Sequence, residues 1–160
     1  MIKGYEPLLD LVIEKLSSII DMSSIACDHI CYRVETEQRY QEIKTELTES
    51  SRLATESMVS ERLISIFVLD KPLIYRGLSI DCIELPAPKI TSYYKEGFEH
   101  VEFVIKDLDQ FIAEHQNLDF NHKAMDRPIN PELGLRLNDH FQVKFHPLHI
   151  LEVIQLERDF

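Results

Sequence analysis

Apolar side chains recur at three- and four-residue spacing near the start of the chain. Leu8, Leu9, Val12, Ile13, Leu16 and Ile19/Ile20 form the stripe, with Asp10, Glu14 and Lys15 elsewhere. That period predicts an amphipathic helix over residues 5–20. Nothing later in the chain repeats it, so residues 1–25 read as an N-terminal helical extension that covers part of the domain.

From Cys27 the pattern changes and then repeats. A β-rich run, CDHICYRV (Cys27–Val34), precedes a polar, helix-favouring stretch from Glu37 to about Glu49. Three strand-like runs follow: Leu63–Leu69, Pro72–Gly77 and Leu78–Leu85. The second unit opens with FEHVEFVI (Phe98–Ile105) and a short helical stretch, Asp109–Gln116. It continues with strand-like runs over Leu133–Asn138, Phe141–His146 and Leu148–Leu156. The order is the same in both: one strand, one helix, three strands. PAPKITSYYKEG, with two prolines and a late glycine, reads as the connection between them.

Neither unit is large enough to bury both faces of its own sheet. The expected fold is therefore α+β: two βαβββ modules paired into a cup-shaped mixed sheet, helices outside, plus the N-terminal helix. Residues 1–160 form one domain, with the first module at 26–86, a linker at 87–97 and the second module at 98–160. The length of 160 residues agrees with one domain, and 44% hydrophobic and 28% charged residues are globular values.

Charge narrows the partners. Seventeen basic against 28 acidic residues leave a net charge of −11, with no basic face for a phosphate backbone or an anionic lipid surface. No stretch approaches the ~20 apolar residues of a membrane span, and the N-terminus carries charges where a secretion signal needs an apolar core. Cys27, Cys31 and Cys82 cannot all pair within the chain. Reduced thiols and a cytoplasmic location are the simplest expectation.

Aligning the units exposes the chemistry. "DHI" at Asp28–Ile30 matches "EHV" at Glu99–Val101, and "IEL" at Ile83–Leu85 matches "LEV" at Leu151–Val153. His29 and Glu84 lie 55 residues apart, His100 and Glu152 lie 52 apart. Each unit thus carries a His in its first predicted strand and a Glu in its last. Alternation along a strand sets these four residues opposite apolar neighbours such as Ile30, Val101, Ile83 and Leu151. Two imidazoles and two carboxylates are a donor set for one divalent transition metal: Zn, Ni, Co, Mn or Fe(II).

These phrases resemble the vicinal oxygen chelate superfamily, whose members include glyoxalase I, methylmalonyl-CoA epimerase and extradiol dioxygenases. CDHICYRV, IELPAPK, GFEHVEFV and VKFH…LEVIQL are similar to the bacterial YecM family, a group for which metal binding is expected. The resemblance implies that His29, Glu84, His100 and Glu152 are the metal ligands. It implies no particular reaction. Four protein ligands suit a metal-dependent isomerase or lyase acting on a small substrate with vicinal oxygens better than oxygenation, and the resemblance makes Glu152 the base. The alternatives are a non-heme Fe(II) ring-cleaving dioxygenase-like enzyme and a non-catalytic small-molecule or metal-binding module.

Other residues have smaller expected roles. Arg33, on the His29 face, and Arg136 are candidates to grip a substrate carboxylate by a bidentate pair. Glu102, next after His100 on its face, is a candidate acceptor for an imidazole N–H. Cys31 and Cys82, two residues from His29 and Glu84, read as buried thiols more readily than as ligands. His146 and His149 flank Pro147 and read as surface turn residues. The loop Asp126–Gly134 stands where it could close over a cup mouth.

Overall fold

A computed structural model describes residues 2–90 and 93–159. The fold is α+β, with four helices and eight strands among the described residues. Helix α1 (Glu6–Leu16) presents Leu8, Leu9, Val12 and Leu16 as its buried stripe, the period read from the sequence. No helix among the described residues is long and apolar enough to cross a membrane.

Two compact units divide the chain: residues 1–7 with 29–99, and residues 8–28 with 100–160. The first contains most of β1 (Ala26–Arg33), then α2 (Glu37–Thr48), β2 (Ser51–Val59), β3 (Arg62–Tyr75) and β4 (Leu78–Pro86). Its strand order is β2-β3-β4-β1, with β1 and β4 parallel and the other pairs antiparallel. Thr36 caps α2 by accepting from the Arg39 N–H. Left-handed Ser60 and Glu61 turn β2 into β3, and Arg76 and Gly77 turn β3 into β4.

The second unit repeats this plan with most of β5 (Gly97–Val104), then α3 (Leu108–Glu114), β6 (Phe120–Ala124), β7 (Glu132–Arg136) and β8 (Gln142–His146). Its order is β5-β8-β7-β6, with β5 and β8 parallel. Phe103, Phe111, Phe120 and Phe145 pack as an aromatic cluster with ring centroids 4.9–6.4 Å apart.

Three strand expectations need correction. Leu63–Leu69 and most of Pro72–Gly77 belong to one long strand, β3, whose pairing with β4 shifts register between Val68 and Leu73. The strands that complete each βαβββ unit are instead β2 and β6. Both lie at a sheet edge and are largely exposed, so neither shows apolar alternation. The third correction bears on the site. Leu148–Leu156, expected as the last strand, is mostly helix α4 (Ile150–Arg158). Its β-branched residues imitate a strand, but His149 caps the helix while Glu152 reaches back to the His149 N–H at 2.9 Å. The expected linker at 87–97 includes Thr91 and Ser92, which lie outside the described residues.

Candidate functional site

In the first unit, β1 pairs with β4 so that His29 stands beside Cys82 and Cys31 beside Glu84. β4 pairs with β3 so that Glu84 stands beside Ile66. His29, Cys31 and Arg33 therefore share one sheet face with Cys82, Glu84 and, along β3, Ile64 and Arg62. His29 is 1% exposed, and its Nε2 lies 3.7 Å from the Glu84 carboxylate. The structure brings this predicted pair together. Cys27, Cys31 and Cys82 are free and buried.

The second unit carries the same register with different residues. His100 stands beside Gln142, Glu102 beside Lys144 and Val104 beside His146. Glu84 occupies the place opposite the residue two beyond His29. The corresponding residue, opposite Glu102, is Lys144. An ammonium thus stands where the repeat calls for a carboxylate. Glu152 is on α4 instead, exposed and engaged in the helix cap.

Glu102, 4% exposed, is the hub of this unit. One of its oxygens lies 3.0 Å from His100 Nε2 and 3.1 Å from Lys144 Nζ; the other lies 3.0 Å from His146 Nε2. Lys144 also reaches Glu132 at 3.4 Å. His146 Nε2 lies 3.1 Å from Asp28 as well, and its Nδ1 lies 2.7 Å from the Leu148 carbonyl. Burial alone would discharge His146. Hydrogen bonds with Asp28 and Glu102, and their charges, outweigh it and push the pKa up to about 9, so the ring is an imidazolium at neutral pH.

His146 is therefore a buried charge at the end of β8, 2% exposed, rather than a surface turn residue. His149 holds the cap of α4 and contacts Asp28 at 3.0 Å. Asp28 also accepts from the Ile150 N–H at 3.0–3.1 Å, placing a carboxylate at the helix N-terminus, where the dipole favours it. Nothing in the sequence sets Asp28 apart from His29 beside it. Lys144 lies in QVKFH, outside the LEV phrase that matches IEL in the repeat. Pro147 and the His149–Glu152 pair were the signals of a helix start beyond that strand.

Beside Lys144 opens a cleft of about 290 Å³, lined among others by Lys123, Arg127, Glu132, Gln142 and Lys144. That volume suits a small molecule. Arg136 is exposed and folds back on the turn beyond β7, donating to the Asn138 carbonyl at 2.9 Å and to Asp139 at 3.1 Å. Arg33 is buried, and its Nε donates to Glu99.

Buried imidazoles and carboxylates suit a borderline divalent cation. Ligand atoms lie within 4.8 Å of each other in the pairs Asp28 with His146, His100 with Glu102 and Cys31 with Glu99. Of the four positions read from the repeat, His29, Glu84 and His100 carry donor types that suit a metal, and each histidine lies within 4 Å of a carboxylate. At the fourth, Lys144 cannot ligate a cation, and Glu102 beside it is the available carboxylate.

Comparison with known proteins bears on the family and the fold. The family model described as YecM protein matches residues 4–127, which hold His29, Glu84, His100 and Glu102. An uncharacterized protein of Haemophilus influenzae is 36% identical over 89 residues, covering 56% of this chain and 47% of that protein, so the match spans about half the relative's length. Protein YecM of Escherichia coli is 22% identical over 155 residues, covering 87% of this chain and 82% of that protein. Among solved structures, Protein EC4020 matches with a TM-score of 0.76 at 22% identity, covering 98% of each chain. A variant of Streptomyces coelicolor methylmalonyl-CoA epimerase in complex with 2-nitronate-propionyl-CoA matches with a TM-score of 0.56 at 12% identity, covering 76% of this chain and 96% of that one. Methylmalonyl-CoA epimerase of Mycobacterium tuberculosis matches with a TM-score of 0.56 at 14% identity, covering 84% and 97%. These likenesses establish a fold of the vicinal oxygen chelate type, and the family match places the chain in the YecM protein family.

Proposed function

We propose that this chain is a divalent-metal-dependent isomerase or lyase acting on a small substrate with neighbouring oxygens. His29, Glu84, His100 and Glu102 hold the cation, with Glu102 taking the role that the sequence assigned to Glu152. The observation that carries this reading is the repeated one: each unit sets a buried first-strand histidine within 4 Å of a carboxylate on the same sheet face. A bound cation supplies Lewis acidity, polarising a substrate oxygen. Fold likeness to the epimerases supports a small-molecule ligand without naming it.

The chain's own residues divide the remaining work. Lys144 lines the cleft and sets an ammonium at the position where a carboxylate base was expected, although none of the four cation donors lines that cleft itself. It offsets negative charge on the substrate and delivers a proton rather than abstracting one. Glu102 and Glu132 hold that ammonium in place. Glu152 acts as a base only by leaving its cap on His149.

One observation favours a second reading. Both Glu102 oxygens are already engaged, by Lys144 and His100 on one side and His146 on the other. If Glu102 keeps those partners, His29, Glu84 and His100 remain as a two-histidine, one-carboxylate set, which suits non-heme Fe(II) and oxygenation. Glu102→Gln separates the two. The isomerase or lyase reading expects this variant to lose at least ~10-fold in affinity for Ni²⁺ or Zn²⁺ by calorimetry. Unchanged affinity, together with oxygen uptake by the Fe(II)-loaded parent on a catechol, would overturn it in favour of the dioxygenase.

A further inference from the structure

The first unit holds two arginines, one buried and one half-buried, each with a buried donor that no carboxylate among the described residues meets. Arg33 ends β1 and Arg62 begins β3, directly after the left-handed turn at Ser60 and Glu61. The register places both on the face that carries Glu84. Both guanidiniums lie over the ring of Tyr94, Arg33 at 4.8 Å and Arg62 at 6.0 Å from its centroid. Arg33 is nine-tenths buried and gives its Nε to Glu99. Its Nη1, and both Nε and Nη1 of Arg62, are buried with no hydrogen-bond partner among the described residues.

Three such donors on two cations are a large cost for a structural role. A buried donor on a charged group forfeits its full hydration when nothing replaces the water. Arg62 also makes no ion pair with a carboxylate among the described residues, while Arg33 stands close enough to act on it. Burial first, and then the Arg33 charge, depress the Arg62 guanidinium below its ordinary value. A lone surface arginine would swing into water. Here Tyr94 and the sheet hold both forks in place.

We infer that Arg33, Arg62 and Tyr94 form a binding site for an oxyanion, a carboxylate or phosphate group carried by a small molecule. Planar guanidinium forks match the two-oxygen geometry of such groups, and two forks over one ring offer an oxyanion the donors that lack a partner. Arg33 was read from the sequence as a candidate for this role beside Arg136. Arg62 is the partner the structure supplies, and Arg136, engaged on its own turn, is not. This inference rests on the two guanidiniums and does not require the cation.

The test is calorimetric titration of the full chain, stripped of metal with EDTA, with malonate in one arm and inorganic phosphate in the other. The parent is expected to bind at least one probe at one site per chain, and the stronger arm identifies the oxyanion. Arg62→Gln is expected to weaken that binding about 10-fold or more, the effect of losing charge-assisted bonds. Thermal melting without anion is expected to leave Arg62→Gln no less stable than the parent, because the substitution removes like-charge repulsion from Arg33. Arg136→Gln should bind as the parent does. The inference is overturned if neither probe binds, if Arg62→Gln binds as tightly as the parent, or if it melts well below the parent. Because the protein is metal-free, failure here leaves the metal reading untouched, and loss of metal binding leaves this site untouched.

Discussion

At the scale of the residue, the departure with most consequence is Lys144. The register that sets Glu84 in the first unit sets a lysine in the second, so the repeat is symmetric in backbone and asymmetric in charge. Lys144 lies 3.1 Å from Glu102 and 3.4 Å from Glu132, so it neutralises carboxylates that would otherwise repel. Restoring the carboxylate makes a prediction. Lys144→Glu gathers three acidic groups on one face and should melt below the parent without metal. A divalent cation should reverse the loss, raising stability by about 2.7 kcal/mol at a hundredfold excess over its Kd. Thermal melts with and without Ni²⁺ check this, and a variant that gains no more from Ni²⁺ than the parent does would contradict it.

At the scale of the element, α4 shows where reading from sequence succeeds and where it stops. The first strands, α1, α2 and α3 were legible because their periodicity or β-rich composition is strong: the buried stripe of α1 and the near-continuous burial of β1 both leave a pattern. β2 and β6 were not, since an exposed edge strand needs no apolar alternation. α4 was misread because Ile150, Leu151, Val153 and Ile154 satisfy a strand pattern as well as a helical one. The repeat singles out His29, Glu84 and His100, and the structure sets both histidines within 4 Å of a carboxylate. Glu102 was noticed only as an acceptor for an imidazole, and Lys144 lay in a strand whose counterpart had been assigned to α4. The capping box gives this scale its test. Glu152→Ala removes the acceptor for the His149 N–H and should cost about 1 kcal/mol in urea unfolding. Metal affinity should stay at the parent's value. A variant that loses metal binding but not stability would return Glu152 to the ligand set.

At the scale of the whole molecule, two units of one plan carry unequal chemistry. The first presents His29 with Glu84 and, on the same face, the arginine pair. The second presents His100 with Glu102, backed by a buried network of Asp28, His146 and Lys144. The net charge of −11 works against association with phosphate backbones and anionic lipid surfaces. Within that acidic whole, Arg33, Arg62 and Lys144 are cations held in place, where a small anionic ligand gains most from them. The central claim is that His29 takes part in holding a divalent cation. Its most direct test is elemental analysis of protein purified without a histidine tag, reconstituted with Zn²⁺, Ni²⁺, Co²⁺, Mn²⁺ or Fe²⁺ and desalted. The parent is expected to retain about one equivalent of at least one ion, and His29→Ala less than about 0.2. A parent that retains less than about 0.2 equivalents of every ion, or a His29→Ala variant that retains as much as the parent, would contradict it.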